Sequence, residues 1–267
     1  MKKTSSVLKM WNKEMHGREQ ELIPLGTISL TATNLSENEL VHTLKLVQRV
    51  IENTSDFLQG NDSKRGQIAQ QIRRNSRFYL IHIERDTLKL ELGSFTKQTS
   101  LLEQPHSLEL FIDLFEHLKH IKNGHDFLYL YNLRIFNAVK LLLSDLMTHY
   151  DKIFWQTEMG HRQLILNQSE LVQLRSKLRF QVKYYEEQPL TFRGKIISVN
   201  HQTKTLTLQT EIGTRSVYVI DPYFKNLALT TQKNVRLNTQ KIVYQLSNDE
   251  EVTLYTLLSV NAIHKLH

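Results

Sequence analysis

The spacing of apolar residues changes period once along this chain, and that change limits the folds open to it. Before about residue 178 the strongest patterns are helical. Leu40, Leu44, Val47 and Ile51 form one set, and Leu108, Phe111, Leu114, Phe115, Leu118 and Ile121 form another. From Phe180 onward the pattern alternates with a period of two, as in TFRGKIISVNHQTKTLTLQTE, Thr191 to Glu211. Residues repeating every 3.6 positions share a helix face, and those repeating every two share a strand face. A chain that carries both patterns in succession is α+β. The expected architecture is an N-terminal mixed domain with about three main helices and short antiparallel strands. A small mostly-β C-terminal domain follows, built as an OB-like or other small barrel.

Local signals sharpen this outline. LGTISLTATN, Leu25 to Asn34, reads as a strand, and Ser36 with Glu39 three residues later forms a capping box for a helix running to Leu58. A short helix is expected over Gln67–Arg73. Arg77–Ile83 and Thr87–Phe95 read as a hairpin, and a second helix starts near Ser107 and closes at Gly124. A third, apolar around most of its girth, covers Tyr131 to His149. KIFWQTE and HRQLILN suggest another hairpin, with Ser169 capping a short helix beyond it. Strands are then expected at Arg179–Tyr185, Leu190–Asn200, Thr205–Thr210, Ser216–Ile220, Val235–Leu246 and Thr253–Ile263. The domains read as a basic leader free to be flexible, 1–20, an α+β domain, 21–178, and a barrel-like domain, 179–267, with Glu186–Pro189 as the hinge.

The chain of 267 residues has no cysteine, which removes disulfides, thiolate nucleophiles and Cys-based zinc sites. The leader lacks the apolar middle of a signal peptide, and Arg134, Lys140 and Asp145 interrupt the most apolar stretch. A cytoplasmic protein without membrane contact is the expectation. The net charge of +7 is concentrated: +3 lies in residues 1–20 and +5 in Lys64–Arg77. Local contact with an anionic partner follows from such clustering better than a uniformly basic coat does.

The hairpin Arg193–Val219 resembles the first hairpin of an OB-type barrel. That resemblance implies single-stranded nucleic acid or oligosaccharide as ligand, with Arg193, Lys195 and Lys204 available to solvent and Tyr218, Tyr223, Phe224 and Tyr244 as candidate stacking rings. Lys64, Arg65, Arg73, Arg74 and Arg77 form the second candidate binding set, with Phe78 and Tyr79 following. Asp113, His117 and His120 share a helix face at metal-ligand spacing, although a solvated face opposite an apolar one has the same pattern. Arg77 and His82 match the Arg-x4-6-His spacing of HEPN-type ribonucleases, but strand alternation puts them on opposite faces. No phosphate loop or nucleophile elbow is present, so no cofactor is expected. The expected function is that of a non-enzymatic accessory or adaptor protein docking a protein partner in a multi-component bacterial system. Nucleic-acid binding is the alternative, and nuclease activity a second alternative.

Overall fold

The computed structural model describes residues 7, 9, 11–12, 22–32, 35–59, 67–84, 88–94, 107–122, 124–158, 161–179, 182–200, 204–219, 234–246, 251–257 and 263–265. The chain divides into two compact units. One comprises Met1–Phe57, Asp62–Asn123 and Leu133–Leu178, and the other Leu58–Asn61, Gly124–Asn132 and Arg179–His267. The fold is α+β, with helices and an antiparallel sheet in the N-terminal part and a five-stranded mixed β-barrel in the C-terminal part.

The first unit is organised on strands β1 (Ile23–Thr31), β2 (Tyr79–Glu84), β3 (Lys89–Ser94), β4 (Lys152–Thr157) and β5 (Gln163–Asn167). They lie in the order β2-β3-β1-β4-β5, and every neighbouring pair is antiparallel. The central strand β1 needs a glycine at position 26. Its φ is +149°, and an added Cβ would run into the Gln156 carbonyl and the Leu108 side chain.

Helices α1 (Glu37–Leu58), α2 (Gln70–Ser76), α3 (Ser107–His120), α5 (Leu133–His149) and α6 (Gln168–Lys177) accompany this sheet, and α4 (Gly124–Leu130) belongs to the other unit. The Ser36–Glu39 capping box forms as expected: the Ser36 N–H donates to Glu39 Oε2 at 2.7 Å, and the Glu39 N–H to Ser36 Oγ at 3.3 Å. Phe111 and Phe115 of α3 pack on Trp155 of β4, with ring centroids 5.0 and 6.3 Å away.

Several local expectations shift. Gly124 opens α4 instead of closing the preceding helix, while the third expected helix forms as α5, starting two residues later than expected. Asn167, not Ser169, caps α6: its carboxamide oxygen accepts from the Glu170 N–H at 2.9 Å, and Glu170 returns the bond at 2.8 Å. Asn ranks with Ser as an N-cap, and the position three residues before Glu170 completes the box.

The leader is held at Trp11 and Asn12. Trp11 is fully buried, stacks on Phe78 with centroids 5.3 Å apart and donates Nε1 to the Phe78 carbonyl at 3.4 Å. The Asn12 carboxamide bonds to the backbone of β2, which is a sheet edge. Its Nδ2 donates to the Leu80 carbonyl at 2.9 Å, and its Oδ1 accepts the Leu80 N–H at 3.0 Å. Edge groups left bare invite pairing with other chains, and this clip satisfies two of them.

The second unit contains β6 (Val182–Asn200), β7 (Thr205–Thr210), β8 (Gly213–Tyr218), β9 (Asn234–Leu246), β10 (Glu251–Leu257) and β11 (Ile263–Lys265). The order is β10-β8-β7-β6-β9, and a further β9–β10 pairing closes the ring. Among the described residues β8 and β10 are the one parallel pair, and the other pairings are antiparallel. β11 adds to β9 beyond the end of β10. Phe192, Ile196, Leu206, Leu208, Val217, Val235 and Leu237 fill the barrel interior.

The expected hinge, Glu186–Pro189, lies inside β6, so two expected strands are one of 19 residues. Pro189 is tolerated because β6 pairs only with β9 there, and β7 joins from Gly194 onward.

Asn12→Ala should destabilise the protein by about 1–3 kcal/mol, because it strips the partners from two edge groups. Trp11→Ala should cost about 3–5 kcal/mol. Both are readable from urea unfolding midpoints.

Candidate polyanion-binding site

Strand alternation places Arg193 and Lys195 on the outer face of β6, with Phe192 and Ile196 pointing into the barrel. Both basic side chains are exposed. The residue directly opposite Arg193 on β9 is Arg236, also exposed. On the far side of β9, His264 of β11 holds the matching register position. Directly opposed side chains in an antiparallel pair sit about 5 Å apart at Cβ, and like charges there repel. Among the described residues none of Arg193, Lys195 and Arg236 makes an ion pair or a side-chain hydrogen bond. Polar side chains flank them, and the exposed Glu211 lies one step past the β6–β7 register, on the Arg193 side. Lys195 faces Gln209 and Asn234 across the two neighbouring strands, and the next pair along is Thr191–Asn238, with Thr191 Oγ1 3.0 Å from Asn238 Oδ1.

Gly194 lies between the two cations. A Cβ there would collide with the Gln209 backbone carbonyl, so the residue is fixed by the close approach of β7. Lys204 does not join the row. It occupies a left-handed turn position, φ +53°, at the far end of the β6–β7 hairpin. Six residues of strand separate that end from Gly194, roughly 20 Å.

The other basic set is deployed differently. Lys64 and Arg65 lie outside the described residues. Arg73 and Arg74 are on α2, and Arg77 follows its last residue. Arg74 is exposed, whereas Arg73 turns to Glu52 of α1, with Nε 4.0 Å from Oε2. Burial pushes the Glu52 carboxyl above its ordinary value, opposed by the positive fields of Arg73, Arg77 and Arg134 and by a hydrogen bond from Gln48. Arg134 in turn pairs with buried Asp56 at 3.2 Å. Much of the positive charge of this segment therefore neutralises carboxylates of the same unit, a structural network rather than a bare patch. Phe78 and Tyr79, the adjacent rings, are both buried.

The candidate metal face is split. Asp113 is ion-paired with Arg162, while His117 and His120 are exposed. Asp145 of α5 meets His42 at 3.8 Å and His149 at 3.7 Å, and accepts from Thr43 Oγ1 at 2.6 Å. Tyr150 donates to the same Thr43 oxygen at 2.8 Å, and burial raises its phenol well above the usual range. This chain of polar groups stitches α1 to α5. Among the described residues no group of three or more His, Asp or Glu converges as a metal site. Nor is any helix among them long and apolar enough to cross a membrane.

Two of the candidate stacking rings are committed to packing. Tyr244 is buried, and Tyr218 is buried with its hydroxyl donating to the Leu130 carbonyl of α4 at 3.0 Å. Tyr223 and Phe224 lie outside the described residues. The residue that sequence reading missed is Arg236. Alternation alone puts it on the outer face of its strand, but nothing short of the β6–β9 register sets it opposite Arg193.

Compared with known proteins, the chain matches no family model, no curated protein and no solved structure.

Glu52 supplies a pH test. Its folded-state pKa is raised, so its contribution to stability is complete below the unfolded value, near 4.5, and is lost as pH rises through the folded value. Glu52→Gln, permanently neutral and still able to accept from Gln48, should gain on the wild type as pH climbs above about 4.5. Thermal melts of both proteins across pH 4–8, a range spanning the carboxylate titration, check this.

Proposed function

We propose that the protein works by docking a polyanionic macromolecule, and that the outer face of the C-terminal barrel makes the contact. The observation that carries this reading is the pairing of Arg193 with Arg236, with Lys195 one step further along β6, all exposed and without a carboxylate partner among the described residues. Two guanidinium groups held opposite each other work against barrel stability unless an anion settles between them. Arginine is suited to that task, because its planar fork meets carboxylate or phosphate oxygens through two parallel hydrogen bonds.

The same chemistry describes an adaptor. Binding needs only these donors and the rigid strands beneath them, and no nucleophile, base or cofactor loop takes part. Strands hold side chains more rigidly than loops do, which favours a defined binding face. Arg74 is the exposed remainder of the other basic segment and offers a contact of its own, so the two surfaces need to be compared directly.

On a phosphocellulose column the triple variant Arg193→Ala, Lys195→Ala, Arg236→Ala should elute at clearly lower salt than the wild type. Arg74→Ala should shift elution only slightly. Equal shifts for the two variants would remove the barrel from the reading.

A further inference from the structure

We infer that the docked polyanion is an acidic protein, and that it enters as an added β-strand on the open edge of β6, through a segment in which acidic and apolar residues alternate. The inference rests on the docking reading above and specifies its partner and mode of binding.

The edge comes from the way β6 changes neighbours. β9 runs beside β6 from Val182 to Lys195, whereas β7 begins only at Gly194. Among the described residues no strand lies on the β7 side of Gln188–Phe192. Every residue from Glu187 to Thr191 is exposed, so both faces of the strand are open there. Thr239 of β9 donates Oγ1 to the Leu190 carbonyl at 2.8 Å, which shows that this carbonyl points to β9. Backbone groups alternate in direction along a strand, so the Pro189 and Thr191 carbonyls and the Thr191 N–H point to the open side. Bare edges of this kind are templates for a further strand, and Pro189 blunts this one by a single donor.

The side chains set the chemistry of the occupant. Leu190 shares the inward face with Phe192, yet it is 37% exposed against 4% for Phe192. An apolar residue on an added strand would cover it, as cross-strand neighbours do. The outward face carries Thr191 and Arg193, with Arg236 opposite Arg193. A carboxylate beside Thr191 lies on the diagonal to Arg193, within reach of so long a side chain. Strand alternation then calls for acidic and apolar residues in turn. Ile212, 70% exposed in the turn joining β7 to β8, adds an apolar contact where β7 ends. The exposed carboxylates of Glu187 and Glu211 border the same edge and disfavour a polymer charged at every position. In strand addition the main-chain hydrogen bonds supply affinity and the alternate side chains supply selectivity.

Fluorescence anisotropy on the full chain tests this with labelled probes: a short peptide alternating Glu and Val, its isomer with the same residues in two blocks, and oligo-glutamate. The alternating peptide should bind at least about tenfold tighter than the other probes. The triple variant Arg193→Ala, Lys195→Ala, Arg236→Ala should weaken all of them. Thr191→Pro removes an N–H from the open side and, like Pro189, spares the bonds to β9. It should weaken the alternating peptide about tenfold, whereas Thr191→Val keeps the N–H and should stay within about twofold of wild type. N-methylation of alternate amides in the peptide should reproduce the Thr191→Pro loss without altering the protein. If the block isomer or oligo-glutamate binds as tightly as the alternating peptide, strand addition is overturned. It is overturned equally if N-methylation leaves binding unchanged. In either case the docking reading stands so long as the triple variant lowers binding, and if that variant changes nothing, both fall. A wild type that sediments as a dimer and becomes monomeric as Thr191→Pro carries its own second copy on the edge, which overturns the acidic partner.

Discussion

The barrel depends on what happens at Gly194. On one side of that residue β6 is hydrogen-bonded to β9, and on the other side to β7, and at Gly194 and Lys195 it holds both partners at once. Because β9 also pairs with β10 to close the ring, the sheet must curl, and β6 coils where it changes partners. Coiling brings the Gln209 carbonyl against the Cα of residue 194, where no side chain would fit. Closure of the ring accommodates that close approach, while alternation along β6 buries Phe192 and Ile196 inside it and presents Arg193 and Lys195 outside. The bulge between Ile196 and Ser198 continues the bend.

The two basic regions illustrate how a charge cluster in sequence divides once folded. Arg73, Arg77 and Arg134 turn toward Glu52 and Asp56, which α1 carries into a largely buried setting. A buried carboxylate without such company would be costly, and the arginines offset that cost. Arg193 and Arg236 make no ion pair among the described residues and remain exposed on a closed barrel wall. Residue type is the same in both places, and the difference lies in which strand or helix comes to rest beside it.

Elsewhere the N-terminal unit manages its own weak points with single side chains. Asn12 completes the hydrogen bonding of an edge strand at Leu80. Lys119 does similar work at the opposite edge, donating to the Ile165 carbonyl of β5 at 3.3 Å. Lys177 donates to the Leu118 and Lys119 carbonyls near the end of α3, groups that a helix terminus leaves without partners. Thr43 joins Tyr150 to Asp145 across the α1–α5 seam.

Read alone, the sequence determined the α+β class, the Ser36–Glu39 cap, the β4–β5 and β6–β7 hairpins and the barrel character of the C-terminal part. Those features rest on periodicity and on interactions between residues close in the chain, which a linear pattern records directly. The one-strand identity of Val182–Asn200 was hidden by Pro189, since a proline marks a break unless the missing N–H faces an unpaired edge. The anchoring of Trp11 and Asn12 was hidden as well, because their partners, Phe78 and Leu80, lie 67 and 68 residues away. Arg193 and Lys195 were legible as exposed cations from alternation. Only the tertiary structure decided that Arg236 stands opposite Arg193. Alternation sets which face a side chain takes, whereas the partner across a sheet depends on strand order and register, and those are chosen by closure of the whole barrel.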